Sequence, residues 1–232
     1  MRAIVALLIF ASTSAFAQLD KSVTLMQAST ALLTQRSVQM HLKVTKQQQE
    51  LLQSVFKWFA QEAQRIGKAS KTREAALAQI SKVRLDASQR ALNALSSSQK
   101  ARLRQLGLQA YGPFALMAPD MAPIVKLTAA QKSKLKAIEK TALQRAQAIF
   151  RERSDAARAI PRPKDQSNQA LMQEYMKQVQ KVMLARNASD QRRARAVRDS
   201  ADKQALAVLT PAQRAQWKAL QGKVFPLEGR RS

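Results

Sequence analysis

The chain holds a single histidine, His41, and no cysteine among its 232 residues. Nucleophilic and general-base catalysis need a reactive side chain with a partner that activates it and a third group that orients the partner. No Cys/His or Ser/His/Asp arrangement of that kind can be traced here. A zinc site of His/Cys type cannot be assembled from one imidazole either. His41 itself reads as a partly exposed surface histidine just before the first long helix. The 15 carboxylates are scattered singly, as at Asp20, Glu50, Glu62, Glu74 and Asp86, which gives no cluster for a hard cation. The five glycines, at 67, 107, 112, 222 and 229, are isolated and form no phosphate-binding loop. The expectation is a protein without catalytic, metal or cofactor residues, and not an enzyme.

Binding chemistry is what remains. Arg186, Arg192, Arg195 and Arg198 lie on one helical stretch, with Arg193 on another side. Such a run is either a solvated face or an anion-attracting surface, and the shortage of acids favours the second use. Upstream, Met172, Met176 and Met183 recur at helical spacing beside Tyr175 and Val179. A methionine stripe packs a core or offers an adaptable surface to many partners. Phe56, Trp58 and Phe59 cannot all face one stripe, so Trp58 is expected to be exposed or at an interface. The segment GPFALMAPDMAP, 112–123, carries Phe114, Leu116, Met117 and Met121. It should pack on a neighbouring helix, the alternative being an exposed loop that binds clients. The candidate client- or anion-binding residues are therefore Arg186, Arg192, Arg195, Arg198, Trp58, Phe114, Met117, Met172 and Met176.

The elements that carry these residues are helices. Ala, Leu, Gln, Lys and Arg dominate, with only five Gly and seven Pro, and that content favours helix almost throughout. A short pattern marks the helix starts: VTKQQ, LSSSQ, LTAAQ and LTPAQ each place an apolar residue, then Thr or Ser, then Gln three positions on. Thr45/Gln48, Ser96/Gln99, Thr128/Gln131 and Thr210/Gln213 thus have the spacing of a capping box, in which each side chain bonds the other residue's backbone N–H. Pro211 at the first helical position agrees with such a start. Seven residues after each Thr or Ser comes Leu52, Leu103, Leu135 or Trp217, and ten after comes Val55, Leu106, Ile138 or Leu220. With the apolar residue before the cap, these share one helical face.

The copies pair further, since ALNALSSSQ at 91–99 matches ALAVLTPAQ at 205–213. Two related helical halves are expected, 18–111 and 124–222, joined by a connecting loop at 112–123 and followed by a tail at 223–232. Helices are placed at about 46–66, 71–94, 96–110, 129–159, 166–207 and 211–221, with Pro161 and Pro163 breaking the chain between the fourth and fifth. The fold class is all-α, built of elongated antiparallel helical hairpins. Many of the facing residues are Ala, so the pairs should be thin, with dimerisation as a way to complete their burial.

Residues 1–17, MRAIVALLIFASTSAFA, have one Arg, an apolar run and an Ala-Phe-Ala ending, the pattern of a secretory signal cut after Ala17. The run is shorter than the ~20 apolar residues that span a bilayer. Removing it takes away Arg2 alone and leaves 39 basic against 15 acidic side chains, 39 − 15 = +24. Such a field attracts anions. In an exported, periplasmic chain the anions within reach are lipid head groups, lipopolysaccharide and acidic or unfolded polypeptide, and nucleic acid is not expected.

An exported, cysteine-free, basic helical chain with repeated L-T-x-x-Q, at Val44–Gln48, Leu95–Gln99, Leu127–Gln131 and Leu209–Gln213, resembles the Spy/CpxP family of periplasmic LTXXQ proteins. The resemblance implies bent helical hairpins that dimerise into a cradle. It also implies an ATP-independent chaperone whose basic, partly apolar face holds unfolded or acidic clients. The alternatives are an envelope polyanion binder and a modulator of a membrane stress sensor. This chain departs from the family in carrying four motifs where familiar members carry two, and in lacking the residues that a zinc-binding relative uses.

Overall fold

The computed structural model describes residues 24–227. The leader expected at 1–17 and the end of the tail lie outside the described residues. Every regular element among those described is helical: α1 (Leu25–Ser29), α2 (Arg36–His41), α3 (Lys46–Ala69), α4 (Arg73–Asn93), α5 (Ser97–Tyr111), α6 (Ala129–Arg158), α7 (Gln169–Val208) and α8 (Pro211–Gln221), with 3-10 turns at Thr30–Thr34 and Gly112–Met117. The chain is all-α, as its composition and periodicity require. Four of the six long helices start where the predicted caps place them, and α4 and α7 start two to three residues later than expected, on caps supplied by Thr72 and Asn168. Thr45, Ser96, Thr128 and Thr210 each accept from the backbone N–H three residues on, and each Gln returns the bond. The residue before each cap (Val44, Leu95, Leu127, Leu209) and the one seven after it (Leu52, Leu103, Leu135, Trp217) are buried.

A fifth capping box lies outside the repeated pattern. Thr24 and Gln27 open α1 with the same reciprocal bonds. The spacing T-x-x-Q was there to be seen, but α1 is only five residues long, so no apolar stripe follows to single it out.

The described residues group into two compact units, 128–209 and 24–127 with 210–227. This division differs from the two halves expected at 18–111 and 124–222. The 112–127 segment and α8 both belong to the larger unit, because side chains fasten them there. Gln213 Nε2 donates to the Val125 carbonyl at 3.1 Å, and Gln216 Nε2 donates to that of Ile124 at 3.0 Å.

In the larger unit, α3 and α4 form an antiparallel hairpin whose apolar faces meet Leu32, Leu33 and Val38 from the preceding short elements and Leu103 and Leu106 of α5. α5 crosses α1 closely at Gly107, where a Cβ would overlap the Ser29 hydroxyl. The 112–123 segment is not an open loop. Gly112 ends α5 in a left-handed conformation (φ 66°), the 3-10 turn follows, and Leu116, Met121 and Val125 are fully buried. Asp120 caps the first turn of α1 through Leu25 N–H···Oδ1, 2.8 Å.

The smaller unit is one antiparallel hairpin of α6 and α7. Its seam joins Leu135, Ala142, Ala146 and Ile149 to Ala194, Ala201 and Ala205. Alanine lets the backbones approach but buries little area per residue, so polar pairs supplement it. Arg193 grips Glu152 with two bonds, 2.8 and 3.2 Å. The hydrogen bond from Arg193 holds the Glu152 carboxyl below its ordinary pKa.

Candidate binding surfaces

The four capping glutamines do more than cap. Gln48 Nε2 donates to Gln99 Oε1 at 2.9 Å, and Gln99 Nε2 donates back to Gln48 Oε1 at 3.0 Å. Each amide has a second donor bond, from Gln48 to the Ala94 carbonyl (2.8 Å) and from Gln99 to the Leu42 carbonyl (3.2 Å). Each carbonyl oxygen also accepts its own cap N–H, from Thr45 at 3.0 Å and Ser96 at 2.8 Å. The later motifs reach the equivalent carbonyls: Gln131 Nε2 donates to Val208 (3.0 Å), and Gln213 Nε2 to Val125. Lys43 and Lys126, two residues before Thr45 and Thr128, both have positive φ, 53° and 50°. The motif therefore fixes a chain reversal and a helix crossing together. Its residues are occupied in structure and offer nothing to a ligand.

Of the aromatic and loop candidates, Trp58 departs from expectation. It is half-buried with Phe56 and Phe59 against the core of the larger unit. The Arg90 guanidinium lies over its ring at 4.3 Å and is itself held by Asp86 through bonds of 3.1 and 3.0 Å. A ring exposed by helical periodicity alone is thus covered from the next helix. Phe114 and Met117 are half-buried in the 3-10 turn, whose intervening residues are core.

The arginine series divides. Arg186, Arg192 and Arg195 are exposed on α7, while Arg193 is engaged with Glu152 and Arg198 lies 3.9 Å from Asp202. Asp190, only 3 % exposed, sits between Arg153 and Arg193 at 3.8 Å from each. These two guanidinium groups neutralise the one buried carboxylate of the seam.

The methionine stripe lies on the part of α7 that α6 does not reach. The Gln131/Val208, Arg153/Asn187 and Glu152/Arg193 contacts fix the antiparallel register. Carried to its end at Arg158, that register meets α7 at about residue 184. The first four turns of α7 therefore extend past α6. There Met172, Met176, Val179 and Met183, with Lys177 at the edge, line a shallow open groove. Met176 is 57 % and Leu184 65 % exposed, and Leu171 is exposed as well. Lys177 is exposed at the edge of the groove, and Lys181 and Arg186 are exposed on the same length of α7.

His41 is no free surface imidazole. Its ring is half-buried, stacks on Phe225 with centroids 4.2 Å apart, and accepts a 2.8 Å bond at Nε2 from Arg102 Nε. Sequence distance hid this contact, since three segments far apart in the chain meet there. No group of three His, Cys, Asp or Glu residues able to hold a metal occurs among the described residues. No helix described is long and apolar enough to cross a membrane. No family model matches the chain, and neither does any curated protein or solved structure in the comparisons made.

Proposed function

We propose that this protein is an ATP-independent holdase of the bacterial periplasm that captures unfolded, anionic stretches of polypeptide. The observation that carries the reading is the overhanging start of α7, where Met172, Met176, Val179 and Met183 line an open groove edged by Lys177, with Met176 and Leu184 exposed. Flexible thioethers adapt to many side-chain shapes, and surrounding cations select segments that carry acids. The formal charge of the mature chain, 39 − 15 = +24, draws such segments in over a distance before apolar contact is made. The secretory pattern of residues 1–17 and the likeness of the four motifs to those of the Spy/CpxP proteins are in keeping with the same reading. A contiguous apolar surface left open on a charged chain marks a place of interaction.

The test is suppression of aggregation of a chemically denatured acidic protein diluted into buffer with the purified mature chain. Near-stoichiometric suppression at low salt is expected. Met176→Glu and Leu184→Glu should each weaken capture about tenfold, because burying one such side chain is worth about 1.5 kcal/mol or more. Both residues are exposed, so folding is unaffected. Absence of suppression at low ionic strength would sink the reading.

A second reading rests on Arg186, Arg192 and Arg195, which are exposed along α7. In this reading they bind lipopolysaccharide or anionic lipid. Arg192→Glu with Arg195→Glu should then abolish retention on lipopolysaccharide while leaving client protection unchanged. The reverse outcome favours the holdase.

A further inference from the structure

We propose that the C-terminal segment 222–227 is an acid-released strap, held on the larger unit while His41 is neutral and let go when its imidazole takes up a proton. Side chains hold the strap by its backbone. Arg102 Nη2 donates to the Lys223 carbonyl at 2.8 Å. Gln109, itself buried, donates to the Gln221 and Lys223 carbonyls, both at 2.8 Å, and accepts from the Phe225 N–H at 3.0 Å. Beyond the turn at Gly222 (φ 61°), Phe225 stacks on His41 and Leu227 enters the core cluster.

Arg102 is the hub of this arrangement. Its Nη1 donates to Gln105 Oε1 at 2.7 Å and its Nε donates to His41 Nε2 at 2.8 Å. The second bond requires a lone pair on Nε2, so the imidazole is neutral with its proton on Nδ1. Protonation puts an N–H where the lone pair was, facing another N–H. The charged groups that act on the ring are Arg102 from α5 and Lys223 from the strap, both cations. A protonated ring therefore loses its bond and meets two like charges at once. It can remain only by turning away, which removes the ring on which Phe225 stacks and the acceptor that orients Arg102.

Burial, then Arg102 and Lys223, lower the His41 pKa from its ordinary 6.5. A histidine with a lowered folded-state pKa contributes stability that is present above 6.5 and lost as pH falls through the folded-state value. The strap belongs to no helix, so its loss is a local opening that leaves the hairpins standing. It would uncover Phe225 and Leu227 and the surface they rest on.

The chain has one histidine, so its Cε1–H gives one NMR signal and an unambiguous titration. Three results are expected together. The midpoint lies below 6.5. Exchange protection of the Phe225 amide, corrected for the intrinsic rate at each pH, falls at least tenfold over the same interval. His41→Gln, which keeps an acceptor for Arg102 and cannot titrate, leaves that protection constant. Lys223→Gln, which removes one repelling charge and no backbone bond, should move the His41 midpoint upward. The proposal is overturned by a midpoint at or above 6.5, by protection unchanged across the titration, by an equal loss in His41→Gln, or by no shift in Lys223→Gln.

Discussion

Gln48 and Gln99 fill both donor and both acceptor positions of their side-chain amides, within the two caps and between them. That accounts for glutamine at a place where glutamate would cap as well. Glutamate accepts the cap N–H but donates nothing. Gln48→Glu should therefore keep α3 capped yet lose the bonds to Ala94 and Gln99, with two acceptor oxygens left facing each other. A cost of about 1–3 kcal/mol is expected in urea denaturation, whereas a purely local cap would show almost none. A double-mutant cycle of Gln48→Ala and Gln99→Ala should give a coupling of at least about 0.5 kcal/mol. The capping role of these residues was legible from spacing. Their second role was not, because the partner amide lies 51 residues away.

Among the elements, the crossing of α1 and α5 leaves no room for a side chain at residue 107. Gly107 is buried beneath Ser29 and Leu25, and Ser29 Oγ donates back to the Leu25 carbonyl at 2.6 Å. Tyr111 OH donates to the Ala28 carbonyl at 3.0 Å, and Asp120 holds the other end of α1. Any side chain at 107 pushes α1 off these anchors. Gly107→Ala should destabilise by about 1–3 kcal/mol despite the better helix propensity of alanine, read from the shift of the denaturation midpoint. Gly67→Ala, at a helical glycine with open space around it, should instead stabilise by about 0.5–1 kcal/mol. The opposite signs separate packing from propensity. The long helices were readable from caps and stripes. α1 and the 3-10 turns were not, since elements of five or six residues show too little periodicity to be told from a loop.

At the scale of the molecule, 40 basic residues against 15 acidic ones govern the response to salt. Raising ionic strength from about 10 to 150 mM shortens the screening length from about 30 to 8 Å. Self-repulsion is then relieved while attraction for anionic partners is lost. The melting temperature should rise over this range, and the client capture proposed above should weaken over the same range. A capture that is independent of salt would place the binding wholly in the apolar stripe of α7. The net charge was plain in the sequence, but its distribution was not. Arg90 and Arg193 are engaged by Asp86 and Glu152, whereas Arg186, Arg192 and Arg195 remain exposed.

The amino-acid sequence by itself determined the helical class, the starts of the four helices that carry the repeated cap and the sign of the field, because caps, 3.6-residue stripes and charge are local or additive properties. Only the tertiary structure decided how the segments are shared between units, with α8 and 112–127 fastened to the first part of the chain. It alone covered Trp58 with Arg90, left the methionine face of α7 beyond the end of α6, and brought His41, Arg102 and Phe225 together. Each of these depends on which residues distant in the chain become neighbours. Helical periodicity says which side of a helix is apolar, but not where the partner helix ends.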